Sequence, residues 1–140
     1  MVFDALFRVF VRLQVAIFRA TNGRALSSIR GMPILLLTTV GRKTGQRRTT
    51  ALMYMRDGDD YVITASNSGG DRHPAWFHNL QASPLVEIEV PGKRLQASAS
   101  VATPAERERL WPELVRQAPF FDGYRRSTSR SIPMVLLRPR

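Results

Sequence analysis

A compact group of charged side chains lies between two predicted strands, at residues 41–48. Four cationic side chains, one hydroxyl and two glycines share these eight positions: Gly41, Arg42, Lys43, Thr44, Gly45, Arg47 and Arg48. Guanidinium groups bind phosphate or carboxylate oxygens in pairs, and glycines let backbone amides approach an anion closely. The segment, called the basic tip below, therefore predicts a cradle for an anionic ligand. A solvated basic hairpin tip would have the same composition, and the spacing is not that of a Walker loop.

A second group, residues 65–79, is a polar loop with two glycines that leads into a short helix beginning near Pro74. Free amides at a helix N-terminus favour negative charge, and Trp76 offers a flat apolar surface to a ring system. Both features suit a tricyclic cofactor, although a helix cap with Trp76 in the core would account for them equally well. His73 and His78 lie close together in this segment, and we interpret both as structural or surface residues.

The composition limits the chemistry that the chain can perform unaided. The chain has 140 residues, with no cysteine, two histidines and a formal net charge of +10. This length suits one domain, and the missing thiols exclude disulfides, thiolate metal sites and cysteine nucleophiles. With so few histidines we expect no metal site. The basic balance favours an anionic partner, which could be nucleic acid, a membrane surface or a phosphorylated small molecule.

Residues 1–24 predict an amphipathic N-terminal helix that ends at Thr21-Asn22-Gly23. A polar stripe interrupts an otherwise apolar surface. The stripe is formed by Asp4, Arg8 and Arg12, and the apolar residues are Phe3, Leu6, Phe7, Phe10, Leu13, Ile17 and Phe18. Neither a signal peptide nor a membrane-spanning stretch is expected. The helix is predicted either to pack on the domain or on a dimer partner, or to lie in a membrane interface.

Residues 25–140 predict a barrel domain, so that the chain forms a single domain overall. Its elements are predicted in the order three strands, short helix, two strands, helix and strand. A capping box at Thr103 and Glu106 begins the longer helix, and Pro119 to Tyr124 is expected to break it. The fold class is mainly β (α+β), with about six antiparallel strands in a small barrel and helices packed across its openings.

The sequence resembles a known family in the run LLLTTVGRKTGQRRTTALMYMRDGDDYVITASNSGGDRHPAWFHNLQASP, in WPELV and in SIPMVLLRP. These segments are similar to the deazaflavin-dependent nitroreductase family, the coenzyme F420-dependent quinone and nitro reductases of actinobacteria. The resemblance runs from about Pro33 to the C-terminus. It implies a split β-barrel like that of FMN-binding oxidoreductases, with reduced F420 as the hydride donor.

The resemblance also implies a set of cofactor-binding residues. Five positions of the basic tip match the loop that holds the cofactor's phosphodiester and oligoglutamate tail: Arg42, Lys43, Thr44, Gly45 and Arg48. Positions beside the deazaflavin ring are matched by Ala65, Ser66, Asn67, Ala75, Trp76 and Asn79. Asn67 stands where lysine is common in the family, and Met53 stands where an aromatic residue is frequent.

The acceptor side is matched near the C-terminus by Tyr124, while Ala118 and Phe121 occupy places where some members carry tyrosine. We therefore expect hydride transfer from reduced F420 to an electron-poor acceptor such as a quinone, an activated alkene or a nitro compound. Ser66 and Tyr124 are the candidate catalytic residues, because they could hydrogen-bond to negative charge developing on the acceptor. The proton would come from Tyr124 or from solvent.

Several points stay open in the sequence. A lipid-soluble quinone would explain the apolar N-terminal helix, with a cytoplasmic protein resting on the inner face of the cell membrane. FMN is the alternative cofactor, and a non-catalytic F420 carrier or sensor at the membrane is an alternative function. A nucleic-acid-binding module is disfavoured because the aromatic residues lie in apolar runs and not among the arginines. Both a monomer and a homodimer are compatible with the sequence.

Overall fold

The structure is a computed structural model that describes residues 2–25 and 27–140, with side chains from residue 6 onward. It contains four helices in this part of the chain, together with a single 3₁₀ turn at Asn67–Gly69. The helices are α1 (Val2–Ala20), α2 (Ala75–Ala82), α3 (Pro104–Gln117) and α4 (Phe120–Arg126). The predicted stripe residue Asp4 and the predicted apolar residue Phe3 have side chains outside the described set.

Among the described residues, eight strands form one antiparallel sheet. They are β1 (Ser28–Ile29), β2 (Met32–Val40), β3 (Arg47–Met53), β4 (Met55–Asp57), β5 (Asp60–Thr64), β6 (Leu85–Val90), β7 (Lys93–Val101) and β8 (Met134–Pro139). The main path runs β3-β2-β6-β7-β8-β5-β4, and the two-residue β1 pairs with the beginning of β2.

The two ends of this path, β3 and β4, are consecutive in the chain and are separated only by Tyr54. The sheet therefore curls back on itself into a split barrel, which confirms the predicted fold class. The predicted number of about six strands is exceeded because β1 is a separate short strand and because Tyr54 interrupts the second predicted strand, Thr49 to Met55. A second difference is that β3 begins at Arg47, so Arg47 and Arg48 lie in a strand and not in the loop.

Buried side chains form two layers because successive strand residues point to opposite faces of the sheet. In β8, Val135 and Leu137 point into the barrel core, whereas Met134 and Leu136 face the helices. The barrel core is covered by α2 through Phe77 and Leu80. The outer layer packs under α3 and α4, with Met32, Met55, Leu110, Leu114 and Phe121.

Helix α3 begins with the predicted capping box. The Thr103 hydroxyl accepts a hydrogen bond from the Glu106 amide at 3.2 Å, and the Glu106 carboxylate accepts one from the Thr103 amide at 2.9 Å. The predicted break after Gln117 is only a brief interruption, because the chain resumes as α4 at Phe120. Proline is compatible with a helix start, so Pro119 separates two helices without preventing the second.

Helix α1 is attached to the barrel by its C-terminal half. Val15 and Phe18 are buried against Leu36 of β2, and Val11 packs at the edge of the same cluster. Arg19 forms an ion pair with Glu89 at 2.8 Å. The chain then turns at Gly23, whose amide donates to the Phe18 carbonyl at 2.8 Å. The opposite, apolar side of α1 is exposed along a row at helical spacing: Leu6, Phe10, Leu13 and Ile17.

Candidate functional site

The basic tip is a tight turn between β2 and β3 whose shape depends on its two glycines. The Gly41 amide donates to the Gln46 carbonyl at 2.7 Å, and the Gly45 amide donates to the Gly41 carbonyl at the same distance. Gly45 has a φ of +72°, a backbone conformation that residues with a Cβ atom rarely adopt. At Gly41, a Cβ atom would lie only 2.7 Å from the Thr44 hydroxyl oxygen. Thr44 is thereby part of the turn, since its hydroxyl also accepts from the Gln46 amide at 3.2 Å.

Three of the four cations at this tip are available to a ligand. Arg47 forms an ion pair with Glu87. Arg42, Lys43 and Arg48 are exposed, and they form no ion pair within the described part of the chain. Exposed cations that are not neutralised by the protein itself are suited to binding an anion.

Asn79 joins the basic tip to helix α2. Its side-chain Oδ1 accepts a hydrogen bond from the Arg42 amide at 3.1 Å, and its Nδ2 donates to the Thr39 hydroxyl at 3.2 Å. Asn79 is only 7% exposed, so its amide group is committed to these two contacts. The structure thus brings two of the predicted groups, the basic tip and the helix of Trp76, next to each other.

The residues predicted beside the ring begin at the end of β5. Ala65 is fully buried, its amide donating to the Pro133 carbonyl at 2.8 Å, and Ser66 is 8% exposed. Asn67 is exposed, and its side-chain Nδ2 donates to the Arg72 carbonyl at 3.0 Å. The backbone φ is positive at Asn67 and Ser68, at 47° and 53°, an uncommon conformation for residues other than glycine.

The other two residues predicted on or near the ring differ in exposure. Trp76 is half-buried, packs against the barrel core and meets the Phe77 ring edge-on at a centroid distance of 6.4 Å. Ala75, the first residue of α2, is exposed. Met53, at the end of β3, is half-buried and packs with the outer layer under α3 and α4.

Tyr124 lies on α4 within an aromatic group that includes Phe120 and Phe121. Its hydroxyl oxygen accepts a hydrogen bond from Arg30 at 3.3 Å, and the Arg30 guanidinium lies 4.5 Å from the centroid of the Phe120 ring. Arg30 belongs to the turn between β1 and β2. It was not singled out by the sequence, since no spacing relates it to α4.

Ala118 and Phe121, which align with tyrosines of some family members, are core residues here. Their exposed fractions are 1% and 5%, and both pack in the outer layer with α3. Of these three residues, Tyr124 alone is half-buried and keeps substantial contact with solvent.

The loop of residues 65–73 is in direct contact with helix α4, so Tyr124 lies beside the segment that carries Ser66. A Cβ placed on Gly69 would lie 3.2 Å from the Tyr124 Cα atom, and the Ser127 hydroxyl donates to the Gly69 carbonyl at 3.1 Å. Arg130, which the sequence did not reveal, also contacts this loop, with its Nη2 donating to the Ser66 carbonyl at 2.7 Å. Its only sequence context is a run of arginines and serines without a motif.

The environment of His73 changes its acid–base properties. Burial, the positive charge of Arg130 and the nearby His78 together lower the pKa of His73 from its usual value of 6.5. Its Nδ1 lies 2.9 Å from the Arg130 Nη1. A guanidinium can only donate, so Nδ1 accepts and the neutral ring carries its proton on Nε2.

A metal-ion cluster and a membrane-spanning helix are both absent from the described residues. Among them, no three histidine, aspartate or glutamate side chains come together in a way that could hold a metal ion. None of the helices within residues 2–25 and 27–140 has the length and apolar character needed to cross a membrane.

Comparisons with known proteins agree with one another. Residues 10–139 match the family model described as F420H(2)-dependent quinone reductase. A protein of Mycobacterium tuberculosis (strain ATCC 25618 / H37Rv) named F420H(2)-dependent quinone reductase is 47% identical over 135 residues, which cover 93% of this chain and 90% of that relative.

Two solved structures are similar in fold and sequence. One, described as an F420-H2 dependent reductase, has a TM-score of 0.69 and 34% identity, covering 76% of this chain and 94% of its own. The other, described as a domain-swapped dimer, has a TM-score of 0.72 and 28% identity, covering 99% of this chain and 100% of its own.

Proposed function

Because the chain belongs to the F420H(2)-dependent quinone reductase family, we propose that it transfers a hydride from reduced coenzyme F420 to a quinone, with the basic tip holding the cofactor's anionic tail. The site assignment rests on the position of three exposed cations, without an ion-pair partner among the described residues, on a glycine-shaped turn that Asn79 joins to the helix of Trp76. Nothing in the structure or the relatives favours FMN or a non-catalytic carrier.

The residues present fit the chemistry of F420. Arg42, Lys43 and Arg48 supply the positive charge that a phosphodiester and an oligoglutamate tail require, and the glycines at 41 and 45 shape the tight turn that presents these side chains. Trp76, half-buried on the helix whose Asn79 contacts this turn, offers an apolar face to the ring. Asn79 holds these two parts together through the Arg42 amide.

When bound, reduced F420 supplies the hydride, and the protein supplies binding, orientation and electrostatics. Ser66 and Tyr124 are the hydrogen-bond donors proposed for the oxygen of the acceptor on which negative charge develops. Arg30 already donates to the Tyr124 hydroxyl oxygen, which leaves the hydroxyl proton of Tyr124 free to be donated. This arrangement suits a quinone, whose carbonyl oxygen takes up a proton after hydride transfer.

The proposal is tested by titrating the purified protein with F420 and with FMN at low and moderate salt, and then by following oxidation of reduced F420 with a quinone. We expect selective F420 binding that weakens with salt, and quinone-dependent turnover. Preference for FMN would overturn the cofactor assignment. F420 binding without turnover of quinones, activated alkenes or nitro compounds would identify a carrier and not a reductase.

Helix α1 supports a finer part of the proposal, contact with the membrane that holds a lipid-soluble quinone. Its exposed apolar row consists of Leu6, Phe10, Leu13 and Ile17, and Arg8 and Arg12 are exposed on another side of the helix. Apolar side chains that enter a membrane interface beside arginines that meet anionic headgroups are typical of interfacial helices. We propose a peripheral position on the cytoplasmic face of the membrane.

A further inference from the structure

The Arg130 guanidinium forms hydrogen bonds with four acceptor atoms of the loop of residues 65–73. Its Nη1 donates to the Ala65 carbonyl at 3.1 Å and lies 2.9 Å from the His73 Nδ1. Its Nη2 donates to the Ser66 carbonyl at 2.7 Å, and its Nε donates to the Gly70 carbonyl at 2.9 Å. One guanidinium thus bonds to both ends of the loop, using the planar fork that lysine lacks.

This loop needs an external constraint. It contains Asn67, Ser68 and Gly69 in succession at positive φ, and the first two are strained in that conformation. Such a backbone persists only where surrounding contacts determine it. Hydrogen bonds from outside the loop join it to Arg130, to the Ser127 hydroxyl at Gly69, to the Thr128 hydroxyl at Asp71 and to the Pro133 carbonyl at Ala65.

These partners all lie in the segment that follows α4, the helix of Tyr124. The Gly69 backbone lies directly on that helix, with the Tyr124 Cα atom 3.2 Å from the position of a Gly69 Cβ. Ser66, the second residue of this loop, and Tyr124 are therefore held relative to each other by the segment after α4.

We propose that Arg130 is a positioning residue for hydride transfer, holding the 65–73 loop against α4 so that Ser66 on the cofactor side and Tyr124 on the acceptor side keep a fixed separation. The inference rests on the proposed function, because it assigns the loop and α4 to the two sides of that site. Arg130 itself touches neither partner in this scheme.

A change at Arg130 should lower the rate of hydride transfer without weakening the affinity for F420. The basic tip is fixed by Asn79 and by its own turn, not by Arg130. Loosening the loop should therefore leave the binding of the tail intact and disturb the alignment of the reacting atoms. Small errors in alignment cost large factors in rate.

The first test measures amide hydrogen exchange in the protein without cofactor. In Arg130→Lys we expect amides of residues 66–73 to exchange at least about tenfold faster, while strands β2 and β6 exchange as in the wild type. Arg116→Lys, an exposed arginine of α3 paired with Glu113, is the matched control. Equal exchange in the loop for Arg130→Lys and the wild type would overturn the proposal.

The second test measures the single-turnover rate of hydride transfer, which does not depend on the fraction of folded protein. For Arg130→Lys we expect a fall of about tenfold or more with the dissociation constant of F420 changed by less than about threefold. Ser127→Ala removes one contact to the same loop, so it should raise loop exchange and lower the single-turnover rate by smaller factors. It replaces Arg130→Lys in both tests if that variant folds poorly.

An unchanged rate in a variant whose loop exchanges faster would show that the loop is held by Arg130 but does not position the reaction, and would overturn the proposal. A wild type that fails to oxidise reduced F420 would instead refute the proposed function. The exchange measurement would still decide whether Arg130 holds the loop, so the two failures are distinguishable.

Discussion

Asn79 and Arg42, 37 residues apart in the chain, are joined by a hydrogen bond of 3.1 Å from the Arg42 amide to the Asn79 side chain. The second hydrogen bond of the Asn79 amide goes to the Thr39 hydroxyl at the end of β2. The position of the basic tip is therefore set by α2 as well as by the hairpin that carries it. An anion held by the tip and a ring packed on α2 would share one rigid support.

Replacing Asn79 with alanine should affect both stability and cofactor binding. The change leaves the buried Thr39 hydroxyl and the Arg42 backbone amide without their Asn79 partner. This loss costs about 1–3 kcal/mol of the free energy of unfolding. Urea unfolding measures this loss, and equilibrium dialysis should show weaker F420 binding. Thr39→Val is the control, because it removes one contact of Asn79 and keeps the one to Arg42. Unchanged F420 affinity in Asn79→Ala would show that the tip does not need this support.

The double variant Lys43→Ala/Arg48→Ala should bind F420 much more weakly. A hydrogen bond to a charged group is worth about 1.5–3 kcal/mol, so each lost contact should raise the dissociation constant about tenfold or more. The remaining affinity should also depend less on salt. Arg116→Ala/Arg138→Ala removes the same charge from exposed arginines elsewhere and should bind as the wild type does. Equal affinity of the two double variants would remove the tail assignment.

Truncating Trp76 to alanine should raise the dissociation constant of F420 about threefold to tenfold, because aromatic contacts contribute about 0.5–1.5 kcal/mol beyond the area they bury. Trp76→Phe should retain part of the affinity. Equilibrium dialysis avoids any reliance on tryptophan fluorescence in these variants. If Trp76→Ala unfolds more easily yet binds F420 normally, Trp76 is a core residue only.

Stability should fall as the pH falls through the titration of His73. The pKa of His73 is lowered in the folded protein, so near pH 6.5 and below the unfolded chain binds a proton that the folded chain resists. The contribution of His73 to the free energy of unfolding is fully present above pH 6.5 and is lost as the pH falls toward the folded-state pKa. Burial is the main cause, and Arg130 and His78 are the charged or titratable groups that face the ring.

His73→Gln should flatten this part of the profile, as measured by urea unfolding between pH 7.5 and 5. The carboxylates with lowered pKa, Asp57, Glu89 and Glu113, have usual values of 4.5 or less and lose their contribution at lower pH. The same slope in wild type and His73→Gln would assign the pH dependence to another group.

Substituting Phe10 or Leu13 with glutamate should release the protein from anionic lipid vesicles, because each change places a negative charge in the exposed apolar row of α1. Co-sedimentation measures the release, and Leu85→Glu introduces the same charge at an exposed leucine of β6 and should not change binding. If the wild type fails to sediment with vesicles but dimerises, and Phe10→Glu is monomeric, a second copy of the chain covers this face.

The strands and the capping box were predictable because they depend on local patterns. The alternation of Leu85–Val90 and the reciprocal bonds of Thr103 and Glu106 use residues close in the chain. The second helix after Pro119 was not predicted, because its buried side rests on Phe121 and on the neighbouring α3, a tertiary contact. The strand break at Tyr54 likewise has no local residue pattern that would predict it.

The site was predicted only in part. Charge density and glycines indicate the basic tip, but nothing in the sequence shows that Arg47 pairs with Glu87 while Lys43 and Arg48 have no ion-pair partner in the described part of the chain. Arg30 and Arg130 act on residues more than 50 positions away, and one arginine among 21 Lys+Arg has no local signal that sets it apart. Such long-range contacts are visible only in the folded chain.

The order of the strands also has a kinetic consequence. β8 follows every other strand in the chain, yet it lies between β7 and β5, pairing Tyr61 with Leu137 across 76 residues. Until β8 is in place, β4 and β5 form only a two-stranded hairpin, which is marginally stable in water. Non-local pairing of this kind slows folding, so barrel closure should be a late step on the millisecond-to-second scale.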